Sequence, residues 1–460
     1  MCETTSVNDH GVKAVTDFTV SMLDVTEHRI TIPILAVALL SLVQSVMRET
    51  GDFFKGVFCL AGPCLSGKTL LFKLFFDFER GREVDINFDA TPVAIIRKIG
   101  NKRDAVVVVD DFKPTSTKSA ENSQTLILDR VIRMCSDDSH GYQKAGRNNS
   151  TVAIIPHCIV AITAEEIRLQ VKSTLARLLI EEMTKHSMNW KVYTDCLANH
   201  ESYKAFLMNY IRYISAQGVR KYCENLAKLF LKERNTLRNI LLEKDIIVDN
   251  RTSDMCTWLS LSFDEFLKYA LGVEAIDHER FESYKEESRQ IFLNFMEEQA
   301  ERINDLDDVT RFFTGLRFLL DTAEARIDPL RARNSSFASE DSKTAIGFSK
   351  AGCIYLKNDV AFRNVVSYFK RFGKDFVMSE SMLRKMLSNN GHLIQNPNNP
   401  KSPIHRLSVN RENYQCIKFA EATFRKLLNG GKNDDIGNDS EFQSDRVARH
   451  NADNILGRRD

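Results

Sequence analysis

The fold is decided by a short motif between two apolar segments, Gly62-Pro63-Cys64-Leu65-Ser66-Gly67-Lys68-Thr69. This motif fits the pattern G-x-x-x-x-G-K-[ST] at every fixed position. The apolar run at residues 57–61 predicts a core strand before the motif, and the apolar run at 70–78 predicts a helix after it. A strand, a glycine-containing loop and a helix in this order are typical of a loop whose backbone N–H groups surround phosphate oxygens.

The residue types within the motif match this chemistry. Glycine lets successive N–H groups turn toward an anion without a clashing Cβ. We expect Lys68 to contact the β- and γ-phosphates of ATP and the Thr69 hydroxyl to ligate Mg²⁺. A chance match in a flexible loop is the alternative, and the flanking strand and helix argue against it.

An acid that holds the metal is expected at the end of a neighbouring strand. Residues 105–109 are apolar and almost entirely β-branched, which predicts a strand buried on both faces, and Asp110 and Asp111 follow it. We expect Asp110 to hold Mg²⁺ through water and Asp111 to orient or deprotonate the attacking water. An aspartate pair that only caps a turn is the alternative.

Two further polar residues lie beside predicted strands. Thr163 ends a strand predicted over residues 153–162, where it would contact the γ-phosphate or the lytic water, or would merely end the strand. Arg177 directly precedes another apolar stretch, so we expect it at the rim of the sheet. From there it could reach the γ-phosphate of a neighbouring subunit. Arg168 and Lys172 compete for this role, and a solvated surface charge is the alternative.

The alternation of strand and helix patterns predicts an α/β fold with a parallel-sheet core. At roughly 150 residues per domain, 460 residues predict about three domains. A polar, serine-rich stretch predicts a linker, and a helix followed by paired strands at 392–394 and 404–409 predicts a winged-helix-like module. The predicted segments are an N-terminal lead-in at 1–29, a P-loop ATPase domain at 30–190, a helical domain at 191–330, the linker at 331–345, the winged-helix-like α+β module at 346–428 and a disordered tail at 429–460.

Composition excludes several classes of protein. The 43% of hydrophobic and 27% of charged residues are those of a globular chain rather than a collagen or a disordered polyelectrolyte. The net charge of +1 gives no indication of a nucleic-acid partner, so any such surface must be a local patch. The 10 cysteines have neither zinc-finger spacing nor a Cys-x-x-Cys pair, which favours a cytoplasmic protein with buried thiols.

One apolar stretch, residues 30–47, has about the minimum length of a membrane span. Pro33 and several polar residues interrupt it, so we predict a buried helix that starts near Pro33. No membrane association is expected.

The order of these elements resembles the AAA+ class, including the superfamily-three helicases of viruses and plasmids. More narrowly, it is similar to the ATPase module of primase-helicase-like proteins carried by phages and integrative elements. Besides the phosphate loop, the resemblance rests on residues 88–92, 109–114 and 173–179, and it covers 30–190. It implies an AAA+-like sheet, ATP hydrolysis with Mg²⁺, a ring-shaped homo-oligomer and single-stranded DNA as a partner.

A glycine- and cation-containing segment, residues 141–150, predicts a hairpin. In the helicases that the chain resembles, such a hairpin projects into the ring channel and grips DNA phosphates. The resemblance therefore implies that Lys144 and Arg147 bind nucleic acid. A surface loop without this role is the alternative.

The motifs predict a magnesium-dependent ATPase, and the resemblance implies that it forms a ring and moves or opens DNA during replication of a mobile element. The alternative is an ATP-gated switch that turns over slowly and recruits a partner protein in regulation or defence. Stimulation of ATP turnover by DNA distinguishes the first function from the second.

Overall fold

The structure is a computed structural model. It describes residues 9–76, 86–113, 118–137, 141–145, 150–167, 169, 171–305, 307–330, 345–372, 376, 378–397, 399, 402–409 and 412–430. These residues fall into two compact units, which divide between residues 304 and 305.

The first unit is built on a parallel sheet of five strands in the order β2-β3-β6-β1-β7. The strands of this unit are β1 (Val57–Ala61), β2 (Ile86–Asn87), β3 (Arg103–Phe112), β4 (Gly141–Ala145), β5 (Ser150–Ile154), β6 (His157–Ala164) and β7 (Leu178–Glu182). Strand β1 lies between β6 and β7, with Val57 opposite both Val160 and Leu178. The chain therefore crosses from one side of β1 to the other, and in α/β sheets such a switch point carries the ligand site at the carboxyl ends of the strands.

The helices of the first unit lie around this sheet. They are α1 (Asp9–Ser21), a 3₁₀ turn (Met22–Val25), α2 (His28–Ser41), α3 (Gln44–Thr50), α4 (Lys68–Phe76), α5 (Pro92–Gly100), α6 (Lys118–Ser136), α7 (Lys172–Leu175), α8 (Trp190–Ala198), α9 (His200–Gln217), α10 (Val219–Leu242), α11 (Asn250–Gly272) and α12 (His278–Asp305). Helix α5 begins with Pro92 in its first turn, where a missing N–H has no cost, and Thr91 Oγ1 caps the helix by accepting from Ala94 N at 3.3 Å.

The strand predicted over residues 153–162 is in fact two strands. Pro156 has no N–H to donate to a ladder, and the chain leaves one sheet and enters another at this point. Strand β5 pairs antiparallel with β4, whereas β6 lies in the parallel sheet between β3 and β1. The prediction of one strand over residues 153–162 is therefore wrong, because a continuous apolar run does not show where one strand ends and the next begins.

Helix α2 is the predicted buried helix, but it begins at His28 and contains Pro33 in its interior rather than near its start. Every residue from Ile30 to Ser41 is buried. No single helix in the described part of the chain is long and apolar enough to cross a bilayer. Helices α2 and α3 together reach the required length and composition, with a bend of 68° between them.

The predicted polar lead-in at 1–29 contains a helix that packs into the core. In α1, the buried Thr16 and Thr19 hydroxyls donate to the carbonyls of Val12 and Val15 at 2.8 and 2.9 Å, respectively. These bonds satisfy the hydroxyls inside the helix and leave their methyl groups for packing. The sequence analysis missed this amphipathic helix because its buried face includes threonines, which were counted as polar.

The helices predicted as a separate domain share one core with the sheet. His200 Nε2 donates to Leu74 O at 2.9 Å, and Ser262 Oγ donates to Ala36 O at 3.0 Å. Buried side chains of α9, α11 and α12 belong to the same hydrophobic cluster as those of α2 and α4. Helices α8 to α12 are thus a second layer of the first unit, which ends at residue 304 rather than 330.

The second unit is an α+β module with a mixed sheet of five strands in the order β11-β12-β10-β9-β8. Its elements are α13 (Asp308–Asp321), β8 (Arg326–Pro329), β9 (Ala345–Lys350), β10 (Cys353–Lys357), α14 (Asn358–Arg371), α15 (Glu380–Asn389), β11 (Ile404–Val409), β12 (Glu412–Ala420) and α16 (Glu421–Leu428). The predicted order of a helix before a hairpin is present in α15, β11 and β12. The strand predicted at 392–394 is wrong, because β11 pairs with β12 instead. The linker and tail predictions fall largely on residues 331–344 and 431–460, outside the described residues.

The cysteines in the described segments are free thiols. Cys64 is exposed and Cys353 is half-buried, and the others are buried. The buried cysteines agree with the prediction of small apolar core residues, whereas Cys64 in the phosphate loop does not.

Candidate nucleotide site

The glycine-framed motif forms the loop between β1 and α4, at the carboxyl edge of the parallel sheet. Gly62 and Gly67 have φ values of +154° and +98°. A Cβ on Gly62 would lie 2.2 Å from Met183 O, and one on Gly67 would lie 2.9 Å from Met188 Cγ. Both glycines are therefore required by close packing as well as by backbone conformation. The predicted strand, loop and helix are confirmed.

The Lys68 side chain lies along its own loop. Lys68 Nζ donates to Gly62 O at 2.7 Å, Pro63 O at 2.9 Å and Ser66 Oγ at 3.3 Å. Burial lowers the pKa of Lys68, and the nearby Glu165, Asp110 and Asp111 carboxylates oppose this shift. The ammonium group is thus held where the loop would surround an anion, and its bonds to uncharged oxygens can be exchanged for bonds to a phosphate.

The Asp110 carboxylate joins the phosphate loop to two strands. Asp110 Oδ1 accepts from Thr69 Oγ1 at 2.9 Å and also from Thr163 Oγ1. Asp110 lies on β3, Thr69 at the start of α4, and Thr163 near the end of β6. The structure therefore brings together the three residues that the sequence assigned to the metal and the γ-phosphate.

This group of oxygens suits Mg²⁺. A carboxylate and a hydroxyl are hard ligands, and Mg²⁺ bound with a nucleotide takes only one or two protein ligands besides phosphates and water. Asp110 and Thr69 fit this requirement. In the described part of the chain, no cluster of three or more His, Cys, Asp or Glu side chains forms a metal site made of protein ligands alone.

Asp111 has the left-handed backbone conformation, with φ of +64°. The pairing of β3 with β6 shifts register between Val109 and Phe112, so Asp111 lies at a bulge. Its N–H donates to Thr163 Oγ1 at 3.0 Å, and its Oδ2 lies 2.6 Å from Lys113 Nζ. The hydrogen bond to Asp111 raises the pKa of Lys113. The predicted water-orienting carboxylate thus lies in the site but is paired with a lysine.

The phosphate loop, Asp110, Asp111 and Thr163 line a cavity of about 410 Å³. Sequence reasoning gave no role to four residues of this region: Asn87, Glu165 and Trp190 line the cavity, and Lys113 pairs with Asp111. Glu165 follows β6 directly, and its N–H donates to Phe112 O at 2.8 Å. An acid after a strand at the carboxyl edge is the signal that identified Asp110, so Glu165 was detectable. Trp190 carried no such signal.

Arg177 lies at the opposite edge of the sheet. It directly precedes β7, and β7 has 5 residues, so the backbone of Arg177 lies roughly 15 Å along the strand from the level of the phosphate loop. Arg177 is only 6% exposed. Its guanidinium pairs with Asp137 at 2.8 Å, and Arg251 Nη2 approaches the same carboxylate at 3.4 Å. Arg177 is therefore neither part of its own chain's site nor a solvated surface charge.

The remaining candidates are only partly described. The backbones of β4 and β5 form the predicted hairpin, with Lys144 opposite Thr151. The Lys144 side chain, Arg147 and Arg168 lie outside what the structure describes. Lys172 begins α7 and is exposed.

The acid was expected on a strand next to that of the phosphate loop, but β6 lies between β1 and β3, so Asp110 is two strands away from β1. The parallel sheet, the glycine-framed loop and this strand-end acid define the fold of a P-loop NTPase. No protein-family model matches the sequence, and a search of curated proteins finds no match. Among solved structures, the chain is similar to "SCCmec type IV Cch - active helicase", at 14% identity and a TM-score of 0.56, over 90% of this chain and 71% of that one. The chain therefore shares the overall fold of this solved structure.

Two further solved structures are more distant. The C-terminal region of NrS-1 matches at 12% identity and a TM-score of 0.32, over 85% of this chain and 75% of that one. A JCV helicase matches at 13% identity and a TM-score of 0.23, over 62% of this chain and 74% of that one. Their superposition is too loose to support a comparison of residues.

Proposed function

We propose that the chain is a magnesium-dependent ATPase that assembles into a ring and moves or opens DNA. The observation that carries the proposal is the Asp110 carboxylate, which is hydrogen-bonded to Thr69 and Thr163 beside the phosphate loop. A strand-end acid in contact with the threonine of a G-K-[ST] motif is the arrangement that Mg²⁺-assisted phosphoryl transfer requires.

In this proposal, Lys68 leaves the loop carbonyls to bind the β- and γ-phosphates, while Asp110 and Thr69 hold the metal. Bound Mg²⁺ would neutralise charge that develops on the phosphate oxygens. Thr163 fixes the position of Asp110 and, through the Asp111 N–H, the start of the bulge. Asp111 orients the attacking water once its ion pair with Lys113 opens, and Glu165 is a second acid in the same cavity.

In the same proposal, Arg177 acts on the γ-phosphate of a neighbouring subunit. The backbone of Arg177 lies roughly 15 Å along β7 from the level of the phosphate loop, and Asp137 holds the guanidinium, so Arg177 does not contact its own nucleotide. In a ring it would face the site of the next subunit. Contact in trans requires the guanidinium to leave Asp137, to which Arg251 also pairs. Ring assembly, DNA as a partner and a role in replication of a mobile element are supported by the resemblance to helicases and by the helicase-like fold.

The test is the rate of ATP hydrolysis with and without single-stranded DNA, together with the mass of the particle with ATP bound. We expect DNA to stimulate turnover of an oligomer. The double variant Lys144→Ala/Arg147→Ala should lose this stimulation and keep basal turnover, because these cations would grip DNA phosphates. A matched control, Lys221→Ala/Lys232→Ala, removes two exposed cations from α10. Equal stimulation in both double variants would remove the hairpin from the proposal.

A slow ATP-gated switch is the second candidate. It is favoured by the two ion pairs, Asp111 with Lys113 and Arg177 with Asp137, which engage the groups needed for fast hydrolysis. Near-zero turnover that DNA does not change, combined with ATP-dependent assembly, would support the switch and oppose translocation.

A further inference from the structure

The cavity at the phosphate loop has two chemically different parts. Its inner part carries the Lys68 ammonium, the Thr69 hydroxyl and the Asp110 carboxylate, which suit phosphates and a cation. Its lining also includes two exposed apolar side chains, Leu65 at 90% and Trp190 at 52% exposure. A triphosphate offers nothing to such surfaces, whereas a nucleobase does.

The segment that leads to Trp190 is fixed by contacts on both sides, although the Trp190 side chain is exposed. Asn189 N donates to Val25 O at 2.8 Å, and Thr26 Oγ1 donates to Ser187 O at 2.9 Å. Met188 is buried and lies against Gly67 of the phosphate loop. The chain that leads to Trp190 is therefore fixed to the core on one side and to the phosphate loop on the other.

The indole ring is also oriented. It meets the Tyr193 ring edge-on, with centroids 5.9 Å apart and an angle of 83° between the planes. Asn189 caps α8 by accepting from Val192 N at 3.3 Å, so the first turn that carries both rings is well defined. In this edge-on arrangement, the Tyr193 ring leaves at least one face of the Trp190 indole uncovered.

From this geometry we propose that Trp190 stacks on the base of the bound nucleotide, so that the site selects a purine nucleoside triphosphate over a triphosphate alone. The proposal rests on the proposed nucleotide binding by the phosphate loop. Stacking recognises the face of a base rather than its edge, and the larger purine ring system gains more contact than a pyrimidine.

The experiment measures affinity of the full chain for ATP, CTP and inorganic tripolyphosphate by calorimetry with Mg²⁺. Because stacking of a base on an aromatic side chain contributes to the binding free energy, Trp190→Ala should bind ATP about 10-fold more weakly. Tripolyphosphate affinity should not change in this variant, and Trp190→Phe should recover most of the ATP affinity. Wild-type protein should bind ATP more tightly than CTP.

Fluorescence gives an independent readout, because the chain contains 2 tryptophans. Trp258 is buried and stacked on Phe230 at 4.3 Å between ring centroids. ATP should quench the wild-type signal, and the quenching should vanish in Trp190→Phe although that variant still binds ATP. Quenching that persists in Trp190→Phe would overturn the proposal.

The outcomes distinguish a failure of the stacking proposal from a failure of nucleotide binding at the phosphate loop. If Lys68→Ala abolishes ATP binding while Trp190→Ala binds ATP as wild type does, or loses ATP and tripolyphosphate equally, the stacking proposal is overturned and the phosphate site stands. If wild-type protein binds neither ligand, the phosphate site is overturned and the stacking proposal with it.

Discussion

The two edges of the parallel sheet use charge in opposite ways. At the carboxyl edge, Asp110, Asp111 and Glu165 surround a cavity and outnumber Lys68 and Lys113. At the amino edge, Arg177 is buried against Asp137. The first edge is arranged for a ligand that brings its own charge and cation, whereas the charges of the second satisfy one another. The same residue types therefore form a cavity for a ligand at one edge and an ion pair within the chain at the other.

The largest expected effect is at the carboxyl edge. Lys68→Ala should abolish ATP binding and turnover, because the ammonium group is the positive side chain closest to the loop oxygens. Calorimetry with Mg²⁺ should therefore detect no ATP binding by this variant. Lys73→Ala is the matched control, since Lys73 is an exposed lysine on the same helix. Wild-type affinity in Lys68→Ala would reject the phosphate loop.

The next effect tests whether the amino edge is only structural. Arg177→Ala should keep nucleotide affinity and lose about 1000-fold in hydrolysis by the assembled protein if it acts in trans. Asp137→Asn breaks the same ion pair but keeps the guanidinium. Both variants should lower the free energy of unfolding by about 2 kcal/mol, because Arg177 is buried and its partner is partly exposed.

These two variants separate the roles through hydrolysis rather than stability. A trans role predicts that Asp137→Asn still hydrolyses ATP while Arg177→Ala does not. If Arg177→Ala hydrolyses ATP normally, Arg168 or Lys172 becomes the candidate for the cation that acts in trans. The amino edge would then have no part in hydrolysis.

A smaller effect distinguishes the acids within the cavity. Asp111→Asn should slow hydrolysis by about 100-fold without weakening ATP binding, because a neutral amide cannot accept the proton of the attacking water. Single-turnover hydrolysis, measured beside Glu165→Gln, checks this assignment. A larger loss in Glu165→Gln than in Asp111→Asn would move the role to Glu165, which the ion pair of Asp111 with Lys113 would then explain.

The carboxyl edge was largely predictable because its signals are local. The phosphate loop is one continuous motif, and Asp110 follows the uninterrupted apolar run of β3. The hydrogen bonds of Asp110 with Thr69 and Thr163 then follow from parallel pairing, which brings the carboxyl ends of strands together.

The remaining features depend on contacts between distant parts of the chain. Asp137 pairs with Arg177 across 40 residues of sequence, and no sequence pattern around either residue predicts this ion pair. The position of Trp190 depends on how the segment after β7 packs on Gly67. The sequence after β7 has the periodicity of amphipathic helices, which alone does not show what their apolar faces pack against. Their packing on α2 and α4 places them in the same unit as the sheet.

The central claim is that Asp110 and Thr69 hold Mg²⁺ together with ATP at the carboxyl edge. Titration calorimetry of ATP, with Mg²⁺ and with a chelator, tests it in wild-type protein and in Asp110→Asn. We predict that Mg²⁺ tightens ATP binding in the wild-type protein and that Asp110→Asn loses most of this gain while still binding ATP without metal. Equal dependence on Mg²⁺ in the two proteins, or no dependence in wild type, would contradict the claim.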